Sequence, residues 1–132
     1  MIKVNQTKLH SETVNGNCLA AALASILELD IDDVPEFEDM GENWFDTLTN
    51  WLENRGFYLM EWQEVIPDVP GYFLVCGESP RGVLHEVVYL DGKMVHDPHP
   101  SNAGITTVKD AFVLVPKDPS NYFNKKSPAK AS

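Results

Sequence analysis

The stretch CLAAALASILEL, residues 18 to 29, constrains the fold more than any other part of the chain. It lacks strand alternation and is rich in Ala and Leu, so it reads as a helix that is apolar nearly all round. Such a helix has no face to give to water and belongs in the middle of a core. Ala20, Ala21, Ala22 and Ala24 let neighbouring backbone approach closely. The rest of the chain must therefore wrap this segment.

The following residues suggest how. Residues 28 to 42 hold eight acids and no base, with Pro35 and Gly41 breaking regular structure, and are expected to form a solvated acidic turn. A calcium loop fails here, because Val34 interrupts the alternation of Asp30 and Asp32 and Pro35 stands where glycine is required. In ENWFDTLTNWLENRG, Trp44, Phe45, Leu48, Trp51 and Leu52 recur on one helical face, and Gly56 is placed to end the helix. The period then changes to that of strands in FYLMEW, GYFLVCG, VLHEVVYL, KMVHD and AFVLV, which are β-branched and aromatic segments separated by Pro, Gly and Asp. Helices first and strands after predict one α+β domain over residues 1–116, with an antiparallel sheet packed on the helices. Residues 117–132 read as a C-terminal extension whose last ten residues are expected to be disordered.

Charge narrows the partners. Up to residue 116 there are 19 acids against 6 bases, a body that repels phosphate backbones and anionic lipid and welcomes a basic polypeptide. No apolar run approaches a membrane span, and MIKVNQTKLH has no signal-peptide core, so a cytoplasmic location is expected. Cys18 and Cys76, too few for a disulfide framework and without a paired zinc spacing, are expected as free thiols, Cys76 packed inside a strand.

A thiol at the start of a buried helix raises the question of a base. At that position the unpaired amides of the first turn and the helix dipole are expected to lower its pKa. His85 in VLHEVVYL supplies an imidazole and Asp97 a carboxylate to orient it. The two meet only in one register of the hairpin VVYLDGKMV. A two-residue Asp-Gly turn pairs Leu90 with Lys93 and sets Glu86, not His85, opposite Asp97. A three-residue loop closed by Gly92 as a G1 bulge pairs Tyr89 with Lys93 and brings His85 opposite Asp97, and this register is predicted. Oxyanion candidates are Gln6, Asn15 and Asn17, the last also a natural helix N-cap.

Cysteine at the head of a buried helix, a His-led strand and Asp-Pro after the next strand resemble the papain-like cysteine peptidase fold, and are similar to the C39-type bacteriocin-processing peptidases. GNCLAAALASILELDIDDVPEF, SPRG and HEVVYLDGKMVHDPHPS resemble more closely a group of small bacterial and phage proteins of that fold, over roughly residues 5 to 115. The resemblance implies Cys18 as nucleophile, His85 as general base and acid, Asp97 as orienter, and no cofactor or metal. It implies a peptide, isopeptide or amide bond in a polypeptide or conjugated-protein substrate. Papain-like enzymes place an oxyanion glutamine a few residues before the cysteine; here Glu12 stands six before it and Gln6 is the upstream glutamine.

Two other readings compete. The same fold without turnover would make a binding module, for instance a phage-encoded inhibitor of a host protein. His96, Asp97 and His99 in VHDPHP would be zinc ligands on a segment stiffened by Pro98 and Pro100, without the helix or knuckle geometry that usually presents them.

Overall fold

The computed structural model describes residues 1–121 of the chain. The expectation of disorder for the last ten residues lies outside them. Helix α1 (Cys18–Leu27) is followed by three single 3-10 turns (Ile31–Asp33, Phe37–Asp39, Gly41–Asn43) and helix α2 (Trp44–Asn54). Strands β1 (Phe57–Gln63), β2 (Phe73–Glu78), β3 (Leu84–Leu90), β4 (Lys93–His96) and β5 (Thr107–Pro116) complete the fold. They form one antiparallel sheet in the order β1-β5-β2-β3-β4. The architecture is α+β, with α1 packed mainly on β3 and α2 on β1.

Helix α1 lies where its composition requires. Residues Leu19 to Ile26 are all buried, and Ala20, Ala22 and Leu23 pack with Leu74, Val88, Phe112 and Leu114 of the sheet. The opposite face carries a second cluster of Phe73, Val75, Val87, Ala111 and Val113. Both faces of the sheet are therefore buried, which explains why its strands read as near-continuous apolar runs. Helix α2 ends at Arg55 and Gly56, the latter at φ +94°.

The acidic segment is more than a solvated turn. Val34 and Phe37 are buried, and the Phe37 ring meets Trp51 edge-on at 5.7 Å between centroids. Asp30 caps the first 3-10 turn by accepting the Asp32 amide at 3.0 Å. The Phe37 anchor fixes the position of the next residue, Glu38.

The β3–β4 hairpin corrects the predicted register. Its turn has two residues, Asp91 at φ 55° and Gly92 at φ 77°, and Leu90 pairs with Lys93. Positive φ at both central positions gives the primed turn whose twist suits a hairpin, so the Asp-Gly pair closes it without a third residue. The extra residue sits further along: Tyr89 pairs with Met94 and Val88 with His96, leaving Val95 as a bulge. One inserted residue moves every later side chain of that strand to the other face.

Candidate active site

The Val95 bulge decides what Asp97 meets. Without it Asp97 would share the face of Glu86; with it Asp97 follows the face of Val87 and His85. His85 Nε2 lies 2.5 Å from Asp97 Oδ1, with both residues almost fully buried. Asp97 also accepts the backbone amides of His99 at 2.9 Å and Gly104 at 2.8 Å. Burial would raise its carboxyl pKa, but the bonds from His85, His99 and Gly104 outweigh that and hold it at about 2. The His85 ring is packed edge-on against His99, 6.0 Å between centroids.

Cys18 occupies the first position of α1, and its thiol is free, as is that of Cys76. Cys18, His85, His99, Gln6, Glu38 and Glu86 all line one cavity of about 780 Å³. Arg81, from the segment between β2 and β3, lines it too. No hydrogen bond joins Cys18 to His85 among the described residues; the thiol instead lies against the backbone amides of Glu86 and Leu19.

The expected lowering of the thiol pKa is not found. Burial first, then the nearby carboxylates of Glu86 and Glu38, push Cys18 up to about 12. The amides of Glu86 and Leu19 act the other way but do not outweigh this, and Glu38 Oε2 also takes the Leu19 amide at 2.7 Å, at the anion position of the first turn. Cys76 is likewise pushed up, by burial and then Glu86.

Glu86 is the residue that reading the sequence missed. Strand alternation puts it on the face of Val88, towards α1, while its neighbour His85 takes the face of Val87. It is 5% exposed, and burial, then Glu38, raises its carboxyl to about 8. The signal was present: a lone acid in a strand whose two faces are both apolar has no water to point at. Glu38 is also held up by burial.

The oxyanion candidates separate clearly. Asn15 donates to Glu38 O at 3.1 Å and Asp39 Oδ1 at 3.0 Å, tying down the acidic segment. Asn17 caps nothing on α1 with its side chain. It accepts the amides of Thr7 and Lys8 at 3.0 and 2.9 Å and donates to Thr7 Oγ1 at 2.8 Å, so it pins the N-terminal loop. Gln6 lies on that loop and lines the cavity, its Nε2 3.1 Å from where a Cβ on Gly16 would stand and 2.8 Å from Lys8 O. A glycine two residues before the cysteine is what allows that approach.

The three residues weighed as zinc ligands diverge. His96 Nε2 faces Val4 O at 2.7 Å, Asp97 serves His85, and His99 Nδ1 faces Ser101 Oγ at 2.9 Å. No group of three or more His, Cys, Asp and Glu among the described residues is arranged to hold a metal ion. No helix among them is long and apolar enough to cross a membrane.

Set against known proteins, the chain matches no family model, and no curated protein and no solved structure matches it significantly.

Proposed function

We propose that this protein is a papain-like thiol hydrolase of the cysteine peptidase, isopeptidase or amidase type, acting in the cytoplasm on a polypeptide or conjugated-protein substrate. One observation carries the reading: His85, paired with the buried Asp97, lines a cavity that Cys18 also lines. With Nε2 engaged by Asp97, Nδ1 is the nitrogen left to exchange a proton with the thiol.

In this mechanism Cys18 Sγ attacks the substrate carbonyl while its proton passes to His85 Nδ1. The oxyanion accepts from Gln6 Nε2 and from the Cys18 amide, which as the first of α1 has no intrahelical acceptor. Collapse breaks the carbon–nitrogen bond, the leaving amine takes the proton from His85, and an acyl-enzyme remains. Water then attacks the thioester, His85 accepts its proton and returns it to the sulfur, and the acid is released. Asp97 holds the imidazole in orientation throughout.

A second reading has an observation of its own. The thiol held up to about 12, with no hydrogen bond to His85 among the described residues and with His85 on the sheet face of Val87 rather than the α1 face, favours a silent binding module of the same fold. Trapping with peptidyl and ubiquitin-like acyl electrophiles, comparing wild type with Cys18→Ala and His85→Ala, separates the two. A hydrolase forms an adduct at Cys18 that both substitutions abolish. A module gives none, or an adduct indifferent to His85.

A further inference from the structure

Among the described residues, four buried side-chain polar atoms have no hydrogen-bond partner: Gln6 Oε1, Glu38 Oε1, Glu86 Oε2 and Thr49 Oγ1. The first three belong to residues that line the Cys18 cavity. Buried acceptors left unpaired cost stability, and their concentration at one cavity calls for a complement. All three are acceptors, so the complement must carry N–H or O–H donors. Two are carboxyl oxygens, and a donor that also carries positive charge would serve both, taking the place of the proton on Glu86.

We propose that Glu86, Glu38 and Gln6 bind a cationic N–H donor of the substrate, a protonated amine or a guanidinium, beside Cys18. The inference rests on the hydrolase reading for the word substrate and names its class: acyl compounds with a basic group close to the scissile carbonyl. The acidic body of the chain would draw such a group in.

The surroundings of Glu86 agree. Glu38 faces it from the acidic segment, Cys18 from α1, Cys76 from β2, and Asp110 and Lys109 from β5. The Cys76 thiol donates to its carboxyl. Lys109 and Arg81 also line the cavity, and Lys109 acts on Glu86, yet no ion pair joins either cation to Glu86 or Glu38 among the described residues. A bound cation would displace the proton that Glu86 retains near neutral pH. It would also offset the charge of Glu38, which adds to burial in holding the Cys18 thiol up.

The test uses small thiol-specific probes and the whole chain. Cationic aminoethyl methanethiosulfonate and neutral hydroxyethyl methanethiosulfonate each transfer a thioalkyl group to a thiolate, forming a disulfide and releasing methanesulfinate. Labelling is read on the Cys18 peptide by mass spectrometry. The cationic-to-neutral rate ratio is expected to exceed that of free cysteine by about tenfold. It should fall severalfold in both Glu86→Gln and Glu38→Gln. In each the amide keeps the shape of the carboxylate, and the substituted side chain at position 38 still offers an oxygen to the Leu19 amide. Glu42→Gln, which removes an exposed charge, should leave the ratio unchanged. A wild-type ratio equal to that of free cysteine, or one unmoved in both cavity variants, overturns the inference. If acyl trapping succeeds while the ratio is flat, the hydrolase stands and the cation site falls. A raised ratio without trapping supports the site and removes the hydrolase.

Discussion

His85 and Asp97 come together through a single inserted residue, Val95. Sequence separation alone, twelve residues across a hairpin with a two-residue turn, would put them on opposite faces of the sheet. The bulge restores the parity, and the amides of His99 and Gly104 then hold the carboxylate against the ring.

That arrangement predicts an acid limb of stability. Asp97 titrates at about 2 when folded and near its ordinary value of 3.8 when unfolded. A depressed carboxyl pKa stabilises above the unfolded value and ceases to do so as pH falls through the folded one, here between about pH 4 and pH 2. The contribution is roughly 2 kcal/mol. In Asp97→Ala it is lost at every pH, together with three buried hydrogen bonds, and urea midpoints should respond to pH less steeply than wild type over that window.

Glu86 predicts the opposite limb. Its carboxyl is raised from 4.5 to about 8, so the folded state favours the protonated form and loses stability as pH rises from the unfolded value to the folded one. Wild-type urea midpoints should fall between about pH 5 and about pH 8.5. Glu86→Gln should be more stable than wild type at the upper end of that range and close to it at the lower end. A wild-type profile that rises over this range would contradict the burial of the charge.

Gln6 and Asn17 should differ in kind. Asn17 is buried with three hydrogen bonds to the Thr7–Lys8 loop, and Asn17→Ala should cost about 2 kcal/mol of unfolding free energy. Gln6→Ala should change thermal stability by less than about 1 kcal/mol while reducing acyl trapping at Cys18. Comparable stability losses in both would remove Gln6 from the oxyanion role.

Gly77 carries the strongest steric constraint on the sheet. It pairs with His85 on β3 and lies at the register shift between β2 and β5, where a Cβ would come 2.0 Å from Thr107 O. Backbone must move to admit alanine, so Gly77→Ala is expected to destabilise by about 2 kcal/mol or more, read as a lower melting temperature. Gly92→Ala, with open space at its Cβ but φ +77°, should cost less.

Local pattern already carried the order of elements in this chain. The all-round apolar run at 18–27, the Trp44 to Leu52 stripe and the later strand segments each write their period into consecutive residues, because burial of a helix or strand face is a short-range regularity. Cys18, His85 and Asp97 stood out as candidates for the same reason: each stands at a marked place in such a pattern. What lay beyond local pattern was how the elements meet. A bulge at Val95 rather than at the turn, Glu38 reaching the first turn of α1 from the acidic segment, and Glu86 set among Cys18, Cys76 and Asp110 all depend on residues far apart in the chain. Register and electrostatics are sums over such neighbours, and a thiol beside two buried carboxylates has a different acidity from the same thiol at an uncapped helix end.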